Sequence, residues 1–138
     1  MKTMKLQELK SHIESALVIL GIEFECLTED VKPYLGESET PEDILVYVHP
    51  LTKKYQRFVV RKSKDIHDFY SLTEIFAELE DFQNGKWIDG TYKDMVYVRE
   101  NPVRIIKAIS EKLYLVSFYS KMELLEPLFR NIIESEKE

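Results

Sequence analysis

The apolar periodicity of the chain changes at Gly21, and this change constrains the fold more than any other feature of the sequence. Before Gly21, apolar residues recur at helical spacing and form one stripe: Leu6, Leu9, Ile13, Ala16, Leu17 and Leu20. After it, Ile22, Phe24 and Cys26 alternate with polar residues, which is typical of a half-buried strand. Because glycine adopts the left-handed conformation that ends many helices, Gly21 predicts a helix followed directly by a strand.

Further strands are predicted where β-branched and aromatic residues are concentrated. Residues 44–48 and 55–61 form two such runs, and residues 49–54 can turn the chain between them. Residues 95–98 and 113–118 predict two more strands.

Residues 101–112 allow two interpretations. Asn101 followed by Pro102 is a good helix start, because asparagine caps helices and proline fits the first helical position. The apolar run 103–109 also fits a strand, and we favour the strand because another strand-like run follows it.

Two segments, 69–74 and 118–123, share the pattern Phe-Tyr-Ser-x-x-Glu. In each, the serine and the glutamate can form a capping box, which predicts helices that begin at Ser71 and at Ser120. Pro127 is expected to bend or restart the second of these helices. The apolar positions behind the two starts are Leu72, Ile75, Phe76, Leu79 and Phe82, and then Leu125, Leu128, Phe129 and Ile132. An internal duplication would explain the match, and so would chance combined with capping preference, which we favour.

These elements predict an α+β fold in the order α-β-β-β-α-β-(β)-β-α. Short connections favour a mainly antiparallel sheet of five or six strands, covered by three amphipathic helices. The 138 residues correspond to one domain, 1–138. Within it, residues 28–43 are predicted to be a mobile acidic loop and residues 134–138 a frayed tail.

Composition points to a cytoplasmic protein. The single cysteine, Cys26, cannot form an intramolecular disulfide, which fits a reducing compartment. The first residues lack the apolar run of a signal peptide, and no stretch is apolar enough to span a membrane, so no membrane contact is predicted.

The sequence predicts no catalytic residues, no metal site and no cofactor, and it favours a protein that is not an enzyme. The four glycines are widely spaced and cannot build a phosphate-binding loop. Cys26 shares the apolar face of its predicted strand and is expected to be an inert thiol. The segment Asp65-Ile66-His67-Asp68 could supply metal ligands, but short polar segments of this kind more often satisfy backbone donors.

A helix followed by three strands and a helix resembles the core of restriction-type nucleases. In that family an aspartate lies on the second strand, and an acidic residue stands two positions before a lysine on the third. Asp43 fits the first position, but Val60 stands two positions before Lys62. The resemblance therefore implies at most a degenerate nuclease, because metal binding needs an oxygen ligand at that position.

Two charged segments are candidate binding sites. The basic hairpin, residues 53–64, combines cations with an aromatic ring and could bind phosphates or an acidic protein; its candidate residues are Lys53, Lys54, Tyr55, Arg57, Arg61, Lys62 and Lys64. The acidic loop could bind a basic partner, through Glu29, Asp30, Glu37, Glu39, Glu42 and Asp43. Both patterns also occur as plainly solvated surface.

The hypothesis that follows is a non-enzymatic protein-binding module, such as a chaperone, an immunity protein or an inhibitor. The predicted order of elements resembles that of small acidic secretion chaperones, which are homodimers that bind unfolded partner segments. The expected partner is therefore another protein, or a second copy in a homodimer. The alternative is a nucleic-acid-binding or degenerate nuclease-like domain that uses the basic hairpin, which the net charge of -6 disfavours.

Overall fold

The computed structural model describes residues 4–27, 40–62, 70–76, 82–83, 86–87 and 93–137, the segments 82–83, 86–87 and 93–100 by their backbone only. The helices in these ranges are α1 (Leu6–Ile19), α2 (Pro102–Leu124) and α3 (Glu126–Glu136), and a short 3₁₀ turn covers Pro41–Asp43. The strands are β1 (Glu25–Leu27), β2 (Ile44–Val48), β3 (Gln56–Lys62), β4 (Tyr70–Phe76), β5 (Phe82–Gln83), β6 (Lys86–Trp87) and β7 (Lys93–Glu100).

Five strands form one antiparallel sheet in the order β1-β2-β3-β4-β7, and β5 pairs with β6 in a separate two-stranded hairpin. Neighbours in the sheet are also neighbours along the chain, except that the β5–β6 hairpin lies between β4 and β7 in sequence. In the sheet, Tyr47 of β2 pairs with Phe58 of β3, and Phe58 pairs with Glu74 of β4.

Helix α1 ends as its sequence predicts. Gly21 has a φ of 68°, in the left-handed region that glycine adopts without steric cost. The N–H of Ile22 donates to the carbonyl of Leu17 at 2.9 Å, and the N–H of Gly21 donates to the carbonyl of Val18 at 3.1 Å. This pair of bonds is a Schellman motif, and it places Ile22 against Leu17 in the core.

The main core lies between one face of the sheet and the helices α1 and α2. Alternate residues of β2, β3 and β4 face the helices, and they pack with one stripe of each helix. The buried members of this core are Leu6, Leu9, Ile13, Leu17, Ile22, Leu45, Tyr47, Phe58, Val60, Tyr70, Leu72, Ile105, Ile109 and Leu113. Val46, Val48, Val59 and Ile75, on the other face of these strands, are also buried.

Helix α2 starts at the cap that the sequence offers. The Asn101 side chain accepts a hydrogen bond from the N–H of Arg104 at 3.0 Å, and Pro102 occupies the first helical position. Helix α2 ends at Leu124 and α3 begins at Glu126, so the predicted restart at Pro127 is confirmed.

The α+β class, the antiparallel sheet and the presence of three helices are confirmed, but the predicted order of elements is wrong. Residues 70–76, predicted to begin a helix at Ser71, form strand β4, because they pair with β3 on one side and β7 on the other. The interpretation of 103–109 and 113–118 as strands is also wrong, because both runs belong to α2. Ser120, the predicted start of the last helix, therefore lies inside α2.

Two further predictions are corrected. Helix α3 does not cover the sheet, because it has no buried residue. The resemblances to secretion chaperones and restriction-type nucleases relied on a helix after the third strand, where β4 stands instead. The predicted single domain stays a prediction; in the predicted frayed tail, Glu134–Glu136 are helical.

Candidate functional site

The turn between β2 and β3 carries the exposed part of the basic hairpin. Lys53, Lys54 and Tyr55 are exposed there. The Nζ of Lys53 lies 3.4 Å from Oε2 of Glu25, so one of the cations is already paired within the chain. This turn presents less free positive charge than the sequence indicates.

The other basic residues are less accessible. Arg57 is only 6% exposed and lies in β3, next to Val59 on the same strand face. Arg61 and Lys62 are half-buried, and Lys64 lies outside the described residues. The structure thus does not bring Tyr55 and Arg57 together on one open surface, and phosphate binding by the hairpin stays a prediction.

Most of the acidic loop lies outside the described residues, including Glu29, Asp30, Glu37 and Glu39. Of the remainder, Glu42 is exposed in the 3₁₀ turn. The carboxylate of Asp43 accepts hydrogen bonds from the N–H of Thr40 at 2.7 Å and from its hydroxyl at 3.2 Å. Asp43 thus closes a capping box that holds the entry to β2.

His49 is the only fully buried histidine among the described residues. Its Nδ1 accepts a hydrogen bond from the N–H of Leu51 at 3.1 Å, which assigns the proton of the neutral ring to Nε2. That Nε2 lies 3.9 Å from Oε2 of Glu23, too far for a hydrogen bond. Burial lowers the pKa of His49; the Glu23 carboxylate opposes this effect, and the Lys121 ammonium adds to it. The ring is therefore neutral near pH 7 and organises the β2–β3 turn.

Cys26 lies half-buried beside a polar cluster between α1 and β2. The hydroxyl of Tyr47 donates to Oε2 of Glu14 at 3.3 Å, and the same oxygen lies 2.6 Å from Nζ of Lys10. Burial raises the pKa of the Cys26 thiol, which disfavours the thiolate. The cluster joins α1 to β2.

A cleft of about 260 Å³ with a mixed polar and apolar lining lies between α2 and the sheet, beside the β2–β3 turn. On its floor, Nε2 of Gln56 donates to Oε1 of Glu74 at 3.3 Å, and both residues are buried. Thr52 also lines the cleft, and its buried Oγ1 has no hydrogen-bond partner within the described ranges. The cleft can accept hydrogen bonds from a small polar group.

A second cleft, which we call the α1–α2 groove, has a volume of about 390 Å³ and is mostly apolar. Its lining residues are Ala16, Leu20, Ile22, Ile106, Lys107, Ser110, Glu111 and Tyr114. Ser110 is only 6% exposed, and its Oγ has no hydrogen-bond partner in the described part of the chain. Leu20, which lines the groove, is 60% exposed, and Val18 and Ile19, which line a separate cleft beside α1, are exposed as well.

A second apolar surface lies on residues 118–136, which we call the arm. No residue from 114 to 137 is buried, although the arm carries many large apolar side chains. Five of them, which we call the arm face, follow one another at steps of four, three, four and three residues: Phe118, Met122, Leu125, Phe129 and Ile132. Tyr119, Leu128 and Ile133 flank this face and are exposed too.

Sequence reasoning missed both apolar surfaces, although each had a signal. Residues 16–20, Ala-Leu-Val-Ile-Leu, are apolar on every side of the helix, more than one stripe against a core requires. The sequence also predicts an apolar stripe over 125–132, but it places that stripe against the sheet. Their pattern indicates an amphipathic helix and does not indicate what covers it.

Within the described ranges, no three histidine, cysteine, aspartate or glutamate side chains lie close enough together to hold a metal ion. None of the helices there is both long enough and apolar enough to cross a membrane.

Comparison of the chain with protein-family models, with curated proteins and with solved structures gave no match in any of the three.

Proposed function

We propose that this chain is a non-enzymatic protein-binding module and that the α1–α2 groove receives an apolar side chain of its partner. The observation that carries the proposal is the groove itself, an open and mostly apolar cleft of about 390 Å³ whose lining includes the exposed Leu20. Contiguous exposed apolar surface with a polar rim is typical of protein interaction sites.

The chemistry of the groove suits an apolar anchor. Leu20, Ile22 and Ile106 supply apolar contacts, and Lys107 and Glu111 place charges of both signs at the same cleft. Interface energy is usually concentrated in a few side chains that fill such pockets, surrounded by polar contacts. The buried Ser110 hydroxyl adds a hydrogen-bonding group that has no partner in the described part of the chain.

The test uses proteins captured from the native cell extract, identified by mass spectrometry and then purified. Their affinity is measured by calorimetry against the wild-type chain, Leu20→Glu and the matched control His12→Glu. Both sites are exposed residues of the α1 region, and His12 lies outside the groove lining.

We expect Leu20→Glu to lower the affinity for a genuine partner by at least about tenfold, because removing an anchor contact commonly costs more than about 1.4 kcal/mol. His12→Glu should leave the affinity unchanged. Added salt should have little effect, since apolar contacts are not screened. The proposal is overturned if no purified partner is sensitive to Leu20→Glu, or if the ligand is nucleic acid that dissociates steeply with salt.

A further inference from the structure

We propose that the arm face pairs with the arm face of a second copy of this chain, in parallel register, so that residues 118–132 form a short two-stranded coiled coil. This interface is separate from the α1–α2 groove, and it does not rest on the proposed partner binding.

The first argument is that no residue of α3 is buried by the described part of its own chain. Helix α3 has 11 residues, none of them buried, and isolated helices of that length are marginal in water. The exposed pair between Arg130 and Glu126, with atoms 2.6 Å apart, stabilises such a helix only slightly. A helix with this apolar content needs a surface that covers it.

The second argument is the spacing of the arm face. Steps of four and three residues repeat every seven, which places Phe118, Leu125 and Ile132 at the d positions of a heptad and Met122 and Phe129 at the a positions. The seam crosses the junction of α2 and α3 at Leu125, where the backbone keeps the right-handed helical conformation, with φ -87° and ψ -10°. A seam of this period packs best against another seam of the same period, because side chains of each helix fit between four of the other. A second copy supplies that match without any further partner.

The third argument is area. Eight side chains on and beside the arm face are between 39% and 63% exposed. If each exposes about half of roughly 200 Å², one copy offers about 800 Å² of apolar surface. That is the area, about 800 Å² per partner, that a standard stable interface buries.

Charge and placement favour the parallel register. Lys121 and Glu126 occupy a g position and the following e position, which face each other across a parallel pair. Two copies would thus form two such opposite-charge contacts. Phe118 lies nine residues after the buried Ile109, which is about 180° around the helix, so the sheet of each copy lies away from the seam.

The first measurement is the mass in solution by light scattering. The wild-type chain should have twice the 16.4 kDa of one chain. Met122→Glu and Phe129→Glu should give a single chain, because each puts a carboxylate into the seam. Asn131→Glu adds the same charge to an exposed position of α3 outside the arm face and should stay dimeric.

The second measurement keeps the seam nearly intact and reads its register. In a Cys26→Ser background, single cysteines replace Phe118, Leu125 or Ile132, and Glu123→Cys serves as the control outside the arm face. In a parallel pair each of the three d positions meets itself, so each variant should form an interchain disulfide on mild oxidation, and Glu123→Cys should not.

Three outcomes would overturn the inference. A wild-type mass of one chain at concentrations of about 100 μM would show that the arm face does not pair at the micromolar affinities of weak specific complexes. Cross-linking at Leu125→Cys alone would indicate an antiparallel pair. Equal cross-linking at Glu123→Cys would show that contacts between copies are not specific to this face.

Discussion

The first half of α2 buries its large apolar side chains, whereas the second half of α2 and α3 leave theirs exposed. In the first half, Ile105, Ile109 and Leu113 are completely buried against α1 and the sheet. In the second half of α2 and in α3, apolar side chains of the same size or larger, such as Ile132 and Phe118, remain about half exposed. The residue types are alike, so an apolar stripe predicts that a helix is covered, and it does not predict by what.

The largest expected effect comes from comparing a truncation in the first half of α2 with one in α3. Ile109→Ala should lower the free energy of unfolding by about 2–5 kcal/mol, because it leaves a cavity in the core. Ile132→Ala should change it by less than about 0.5 kcal/mol at protein concentrations low enough to keep the chain monomeric, since its surroundings are solvent. Urea unfolding followed by circular dichroism measures both.

Equal losses in the two variants at low concentration would break the contrast, because the arm would then be packed within its own chain. If the loss in Ile132→Ala instead grows with protein concentration, the arm is stabilised by association. Circular dichroism before unfolding controls for loss of helix in either variant.

A smaller effect is expected at the start of α2. Asn101→Ala removes the side chain that accepts from the N–H of Arg104, which should cost about 0.5–2 kcal/mol of stability. Asn131→Ala, at an exposed position inside α3, removes no cap and should be neutral or slightly stabilising, since alanine is the better helix former. Urea unfolding separates the two; a cost at Asn131 as large as at Asn101 would contradict the assignment of the cap.

The smallest expected effect is a change in the pKa of His49 when Lys121, near the start of the arm, loses its charge. The Lys121 ammonium lowers the pKa of His49, although burial is the larger cause, so Lys121→Gln should raise that pKa. An NMR titration of His49 measures the shift, and Lys112→Gln serves as the control, because Lys112 is not among the causes of the shift. If the pKa of His49 is unchanged in Lys121→Gln, residue 121 lies farther from His49 than the structure shows.

The same histidine makes stability depend on pH. Because burial lowers the pKa of His49 below its ordinary 6.5, the unfolded chain takes up a proton at higher pH than the folded chain. Stability is therefore intact above about 6.5 and falls as the pH drops below that value toward the folded pKa.

The elements that could be predicted from the sequence are those with one apolar face. Helix α1, with one stripe and a glycine at its end, and β2, with a dense β-branched run, match their predictions. Helix α2 could not be identified in this way, because Ile109 faces the core while Phe118 lies on the opposite side. Two apolar faces on one helix remove the single period that marks a helix, so its sequence looks like strands.

Strand β4 failed for another reason. The sequence pattern of Ser71 and Glu74 fits a capping box, and the spacing of Leu72 and Ile75 is compatible with a helix or with a strand. Pairing with β3 on one side and β7 on the other supplies hydrogen bonds and burial that a local cap cannot match. The sequence does not predict the groove or the arm face either, because the tertiary arrangement and not the residue type decides which apolar side chains are exposed.

The neighbour-to-neighbour order of the sheet has a consequence for how the chain reaches this structure. Strands that pair with strands near them in sequence need shorter loop closures than segments from opposite ends of the chain, and shorter closures form faster. The contact between α1 and α2 instead joins segments from opposite ends of the chain, residues 6–19 and 102–124. We expect the meander to form early in refolding and the docking of the two helices to be the slow step, so the groove between them is created last.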